Sequence, residues 1–465
     1  MAELDGGDRP DRRAHRNGLV AVACREDGVA SVDSLIARYF GTSGGELTVG
    51  EIPVSDLARQ YGTPMYVYDS GVIDRKWAAL RAALPAEFAI HYSVKANPNP
   101  AIVRHLLAKG AGLEVASGGE LCEAITAGCA PTDILFAGPG KSEAELEMAI
   151  TYGIGEVHVE SVVEVGRVAA IATRLGVRAR AALRVNPAAE AQGGAMRMGG
   201  KAAPFGVDEE CLDAVLDVML AEPGIEFRGL HLFSGTQILD YSVLVQQYRC
   251  GLDIARRVAK RVGHPLQTLD FGGGLGIPYF AKEEELDTGR LREELDKVMV
   301  EVRTDGLFSG TRFVVEPGRY LVGEAGVYLT RITDIKVSRG RTFYIVDGGM
   351  HHHLAASGNL GQVIKRNFPV AIVNRLGRGP TGTVDVVGPL CTPLDTLARD
   401  IALGQAEVGD VVGIFQSGAY GLTASPIGFL SHRTPAEVLV GDGRARVIRS
   451  RSEWTRPVPR SDTGG

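Results

Sequence analysis

Lys95 ends an apolar, alternating run (Phe88, Ile90, Tyr92, Val94) that reads as a strand and stops at the turn signal Asn97-Pro98. A lysine at a strand end is ordinarily a solvated charge. In a βα barrel, however, the C-terminal ends of the strands are where catalysis takes place. A deprotonated amine there is a nucleophile for carbonyl groups. Three further clusters could serve it. Gly272-Gly273-Gly274 follows Asp270-Phe271, and glycines at a strand end let backbone N–H groups approach a phosphate, although a plain tight turn uses the same residues. Glu316-Pro317-Gly318-Arg319 pairs an acid with an arginine, which could equally be a surface salt bridge. The segment Gly229 to Gln237 supplies Thr236 and His231; alone, such a histidine is more often a satisfied core residue than a catalyst. Gathered at one barrel end, an amine, an anion nest, a hydroxyl and a Glu/Arg pair are the parts a phosphorylated aldehyde cofactor needs.

Those residues need strands to hold them. Short β-like runs alternate with helical stretches at 88–96, 112–117, 134–138, 156–161, 179–186, 227–235, 268–274 and 312–318. Eight such units predict an α/β fold built on a (β/α)₈ barrel. After Tyr320 the texture changes: Val327–Ile335, Thr342–Val346, Thr383–Val387 and Asp410–Phe415 are strand-like with few long helices between them. The pattern predicts a disordered segment 1–29, a strand contribution to the second domain from 30–55, a barrel over 56–318, a mostly antiparallel β domain over 319–451 and a disordered tail 452–465.

Bulk properties narrow the class. The 465 residues carry a net charge of −6 with 45% hydrophobic and 23% charged side chains, which suits a globular protein and gives no sign of nucleic-acid binding. No apolar run is long enough for a membrane span, and the Asp/Arg-rich start lacks the apolar core of a secretion signal. Six scattered cysteines (24, 122, 129, 211, 250, 391) form no CxxC pair. They predict reduced thiols in a cytoplasm rather than disulfides or a zinc site.

From Leu47 to Val440 the chain resembles the fold-type III pyridoxal-phosphate decarboxylases, which include diaminopimelate, ornithine and arginine decarboxylases. The resemblance rests on Tyr92-Ser93-Val94-Lys95-Ala96-Asn97, Glu114 to Leu121, Arg184-Val185-Asn186-Pro187, Gly272-Gly273-Gly274, Glu316-Pro317-Gly318-Arg319, Val346-Asp347-Gly348-Gly349, Gly388-Pro389-Leu390-Cys391 and Gly418-Ala419-Tyr420, in that order. It implies pyridoxal 5'-phosphate as cofactor, bonded through its aldehyde to Lys95, whose amine burial and a nearby cation would keep neutral. Glu316 would hold the pyridine nitrogen protonated, which favours decarboxylation; the racemases of this fold place an arginine there. Gly272, Gly273, Gly274, Gly318, Arg319, Thr236 and Tyr420 would surround the phosphate. Glu114 and Arg184 would support the ring's polar edge, and His231 is a further cofactor-binding candidate. Cys391 would reach in from the second subunit of a homodimer and protonate carbon once CO₂ leaves; a buried structural cysteine is the alternative.

Three positions depart from the family. Phe233 stands where a histidine usually stacks on the ring; a phenyl group can stack but cannot hydrogen-bond. Ala355 and Asn359 stand where diaminopimelate enzymes carry an arginine and a tyrosine, and Thr392 where an acid follows the cysteine. A charged distal end would be left unpaired there. The patterns around Phe233, His351–Asn359 and Cys391–Asp395 resemble a subgroup of biosynthetic clusters, some of whose members decarboxylate an amino acid tethered to an acyl carrier protein. His352, His353, Thr392 and Asp395 are the substrate-contact candidates. No metal is expected at His351–His353, because neighbours on a strand face opposite ways. An ordinary diaminopimelate or ornithine decarboxylase and a catalytically idle homologue are the competing readings.

Overall fold

The computed structural model describes residues 32–188, 196–197, 202–233, 235–280, 282–362 and 365–453. The expected disordered segment 1–29 lies outside them, as does the expected tail 452–465 apart from Ser452 and Glu453.

Eight parallel strands close into a barrel: β1 (Phe88–Ser93), β2 (Gly112–Val115), β3 (Ile134–Phe136), β4 (Glu156–Val159), β5 (Ala179–Asn186), β6 (Ile225–Leu232), β7 (Thr268–Asp270) and β8 (Arg312–Val315). β8 meets β1 at Val314↔Ala89 and β4 meets β5 at His158↔Ala182, completing the ring. All eight lie where the alternation places them, but most stop a few residues early. Lys95 sits in a short 3₁₀ turn, Val94–Ala96, and the glycines after Asp270 are loop. The backbone leaves the ladder there, which frees its polar groups to face the barrel mouth. Helices Pro100–Leu107, Gly118–Thr126, Glu143–Tyr152, Val162–Leu175, Leu212–Ala221, Tyr241–Val262 and Thr288–Thr304 follow β1 to β7 in turn. Several begin at a capping side chain soon after a strand: Ser117, Ser142, Ser161, Asp240 and Asp287 each accept a backbone N–H of the first turn. Tyr241–Val262 buries Leu244, Tyr248, Leu252, Ala255 and Val258, a helical stripe facing the core.

The second sheet is mixed and mostly antiparallel. Its long central strand, Gly326–Ser338, pairs antiparallel with Met65–Asp69 and Val411–Ile414 along its first half and with Arg341–Val346 along its second. Pro380–Val387 and Thr396–Gly404 extend one side, and Ala436–Gly441 and Arg444–Arg449 the other. Two placements differ from the sequence reading. Met65–Asp69, inside the span assigned to the barrel, belongs to this sheet, flanked by Gly326–Ser338 and Ala436–Gly441. All five of its residues are buried, so no alternation marks which sheet it joins. The N-terminal contribution is a separate three-stranded sheet, Gly41–Ser43, Glu46–Val49 and Ile52–Pro53. The Leu47 N–H, donating to Val373 O at 2.8 Å, ties it to the β domain. Among the described residues no helix is long and apolar enough to cross a membrane.

Candidate active site

A cavity of about 360 Å³ opens at the C-terminal ends of the barrel strands. It is lined by Lys95 after β1, Glu114 on β2, Arg184 on β5, His231 on β6, Phe233 and Thr236 beyond it, Gly273 and Gly274 after β7, and Glu316, Gly318 and Arg319 after β8, with Tyr420 from the β domain. Of the residues the sequence singled out around the cofactor, only Gly272 is not on the wall. It lies just behind: its N–H donates to Asp270 Oδ1 at 2.8 Å and its carbonyl accepts the Glu316 N–H at 2.8 Å.

Lys95 brings an amine to the cavity. Its side chain is 47% exposed to the pocket, and Nζ lies 2.9 and 2.8 Å from the two oxygens of Glu114. Glu114 is buried and also accepts the Ser93 hydroxyl. Burial alone would lower the Lys95 pKa, but Glu114, Glu316 and Tyr420 outweigh it and hold the amine charged. This reverses the expectation of a neutral amine: carboxylates surround the lysine, and no cation stands among the causes of its shift. The Glu114 carboxylate is placed to take the proton when a carbonyl arrives.

Beneath the pocket the barrel interior is polar. His231 Nε2 lies 3.4 Å from Glu316 Oε2, the His158 and His231 rings are 4.3 Å apart, and His158 Nε2 lies 3.9 Å from Asp270 Oδ2. All four side chains are buried. Their ligating atoms fall within 4.8 Å of one another, close enough for a metal ion or for shared protons. Burial and the neighbouring Glu316 push the Asp270 carboxyl well above the usual range, so Asp270 holds a proton. Burial pushes Glu316 up as well, but His231, His158 and Lys95 outweigh it, and Glu316 stays ionised. Burial pushes His231 down to about 4, against the opposing pull of Glu316. Of the two carboxyls, Glu316 is the one held below the usual range, by His231, His158 and Lys95. Its Oε1 is buried without a partner, an acceptor for a protonated ring nitrogen.

The glycine loop on the cavity wall suits a phosphate. A Cβ on Gly273 would sit 2.6 Å from the Glu316 carbonyl, and Gly274 has φ +109°, so only glycine brings the backbone this close. Arg319 donates to Tyr279 Oη at 2.9 Å, and its guanidinium lies 4.7 Å from the Tyr420 ring centroid. Tyr420, at φ +52°, is anchored by its N–H on Ala96 O at 2.8 Å, which couples the β domain to the lysine turn. Phe233 lies along the glycine loop, its ring carbon 3.0 Å from where a Cβ on Gly272 would stand. The orphan acceptor, the amine and this cradle fit a phosphorylated pyridine aldehyde.

The sequence reading missed Tyr279, Phe205, Ser93 and the Gly138-Pro139 turn. Phe205 lies under Arg184, 5.1 Å from its guanidinium carbon. Each acts through a partner far along the chain, and only Ser93 lay inside a motif already noted.

The remaining candidates lie elsewhere. Cys391 is exposed on the loop between Pro380–Val387 and Thr396–Gly404, off the wall of the pocket in its own chain. Asp395, proposed as a substrate contact, is buried and spent on structure: it accepts the N–H groups of Met350 (2.6 Å) and Leu390 (2.8 Å), fixing the Cys391 loop. Thr392 Oγ1 accepts Leu394 N–H at 3.3 Å. His351–His353 lie in a turn, not on a strand, so the alternation argument against joint ligation does not hold there; the His351 and His352 ring centroids are 3.7 Å apart. His352 Nε2 meets Arg433 O at 2.9 Å and His353 Nε2 meets Ser417 Oγ at 2.8 Å. Both rings are buried inside the β domain and face no part of the Lys95 cavity.

The family model described as "Pyridoxal-dependent decarboxylase, pyridoxal binding domain" matches residues 70–323. The L-glutamyl-[BtrI acyl-carrier protein] decarboxylase of Niallia circulans is 37% identical over 406 residues, 87% of this chain and 94% of that one. The diaminopimelate decarboxylase of Aquifex aeolicus is 33% identical, covering 90% and 96%. The crystal structure of M. jannaschii diaminopimelate decarboxylase with L-lysine superposes with a TM-score of 0.82 at 27% identity, covering 90% of this chain and 96% of that one. The chain belongs to the pyridoxal-dependent decarboxylase family: it is a carboxy-lyase that uses pyridoxal 5'-phosphate.

Proposed function

We propose that this decarboxylase removes the α-carboxylate of an amino acid whose side-chain carboxyl is masked, as in a glutamyl or aspartyl thioester on an acyl carrier protein, and that two subunits share each site. The observation that carries the reading is the state of the distal positions. Ala355 is apolar and buried; Asn359 donates its amide to Ser357 Oγ at 2.7 Å; Asp395 is consumed by two backbone N–H groups. A charged far end of diaminopimelate or ornithine would lose its solvation there without an arginine or acid to receive it. A thioester has no such charge. The similarity to a decarboxylase of a carrier-bound glutamyl group supports the same reading.

Pyridoxal phosphate, when bound, supplies the electron sink that takes up the bonding pair left behind by departing CO₂. The chain's residues do the rest. Lys95 is the amine that would hold the cofactor through its aldehyde, with Glu114 within reach of the amine's proton. Glu316, held ionised by its neighbours, would hold the protonated pyridine nitrogen at its unpartnered Oε1. Gly273, Gly274, Gly318, Arg319, Thr236 and Tyr420 would hold the phosphate, and Phe233 and Arg184 would support the ring. No thiol lines the cavity among the described residues. The proton that replaces CO₂ on the α-carbon therefore comes, in this reading, from Cys391 of a second copy, whose loop Asp395 holds in shape.

A second reading, decarboxylation of free diaminopimelate, has one observation in its favour. Lys365 is exposed and its Nζ donates to Asn359 Oδ1, so a cation stands near the distal positions. CO₂ release from carrier- and pantetheine-bound glutamyl and aspartyl thioesters, measured beside the free amino acids, separates the two. Turnover confined to the thioesters supports the first. Turnover of free diaminopimelate that Lys365→Ala abolishes supports the second.

A further inference from the structure

Behind Arg184 stands a carboxylate to which the sequence reading gave no role. Glu160 follows β4 and is buried. Its Oε1 accepts Arg184 Nη1 at 2.8 Å and the Gly138 N–H at 3.0 Å. Its Oε2 accepts the Gly206 N–H at 2.8 Å. One carboxylate thus ties together segments that reach the cavity from β3, β4 and β5, and all three partners form or adjoin its wall: Arg184, Gly138 with Pro139, and Gly206, next to Phe205.

The arrangement is braced from behind. Lys141, itself buried, donates to Gly138 O and His158 O at 2.6 Å and to Glu164 Oε1 at 3.0 Å. Glu164 Oε2 accepts the Glu160 N–H at 2.7 Å. Gly138 is therefore gripped at its N–H by Glu160 and at its carbonyl by Lys141. Burial pushes Glu160 up, but Arg184, the Gly206 N–H and Lys141 outweigh it and keep it ionised. Phe205 packs against the guanidinium that the same carboxylate orients. A paired, desolvated carboxylate of this kind loses its geometry abruptly when one partner is removed.

We propose that Glu160 is a positioning residue of the decarboxylase: it aims Arg184 into the cavity and locks Phe205 beside it, so that cofactor affinity depends on Glu160 through Arg184. The proposal rests on Arg184 contacting the bound cofactor, and the test separates the two claims. Pyridoxal phosphate affinity, measured by fluorescence quenching on the full-length chain stripped of cofactor, and kcat/KM are compared in a double-mutant cycle of Glu160→Ala and Arg184→Ala, with Glu160→Gln as the variant of equal size. Thermal unfolding of each reports folding. The expected result is that E160A and R184A each weaken cofactor binding by about tenfold or more, as for loss of a charge-assisted hydrogen bond, and that E160A costs less than twofold further in the R184A background. A merely structural role would instead give losses that multiply and follow the fall in melting temperature. If E160A does not fold, E160Q, which keeps the volume but not the charge, is expected to show the same non-additivity. Fully additive losses overturn the proposal. So does an effect of R184A with none from E160A or E160Q. No effect of R184A overturns it too, and also removes Arg184 from the cofactor site.

Discussion

The Nζ of Lys95 lies within 2.9 Å of both carboxylate oxygens of Glu114. Glu114 is the strongest of the groups that raise the pKa of this amine. Glu114, Glu316 and Tyr420 raise the lysine pKa against the effect of burial, so cofactor capture is predicted to rise with pH as the ammonium loses its proton. Glu114→Gln removes the strongest of these partners. The capture profile of the cofactor-stripped chain should then move to lower pH by about one to two units, the size of a charge-assisted hydrogen bond. An unmoved profile would show that Glu114 does not control the amine. Borohydride should leave the cofactor on the Lys95 peptide, and Lys95→Ala should abolish turnover.

Cys391 and Lys95 belong to one chain but not to one cavity. If a second copy brings the thiol to the amine, Lys95→Ala and Cys391→Ala chains are each inactive as homodimers. Mixed and allowed to reassort at random, they should recover about a quarter of wild-type activity, because one site in each mixed dimer carries both residues. Proven mixed dimers that stay inactive would exclude a shared site.

Acid should destabilise the fold from about pH 6.5 downward. Burial pushes His91 and His231 down to about 4 and His353 to about 3. Below about pH 6.5 the unfolded chain therefore binds more protons than the folded one, and stability falls as the pH drops toward 4. Each such histidine contributes a slope of up to about 1.4 kcal/mol per pH unit. Thermal unfolding at pH 7.5 and 5.5 should show a lower Tm at 5.5, and His353→Gln should flatten the dependence. A Tm that holds or rises on acidification would contradict the neutral assignments.

Much of this was written locally. Alternation before Lys95, the glycines after Asp270 and Glu316-Arg319 each announce a strand end within a few residues, so the eight barrel strands and most of the cavity wall were legible. What was not legible depends on partners distant in sequence. Met65–Asp69 is buried on both faces and reads alike for either sheet. Tyr279 matters through Arg319, and Glu160 through Gly138, Arg184 and Gly206. Asp395 was a substrate-contact candidate four residues after the cysteine, whereas two backbone N–H groups claim it. His351–His353 read as a strand because they follow one.

The central claim is that the site accepts an amino acid without a charged far end, and the most direct test is a ratio. CO₂ release should be followed on free diaminopimelate, ornithine, glutamate and aspartate and on the glutamyl and aspartyl thioesters of a carrier protein and of pantetheine. Loss of one charged contact in a desolvated site costs about 2–5 kcal/mol, so kcat/KM for a thioester should exceed that for free diaminopimelate by about 30-fold to several thousand-fold. Efficient turnover of free diaminopimelate with none of the thioesters would contradict the account.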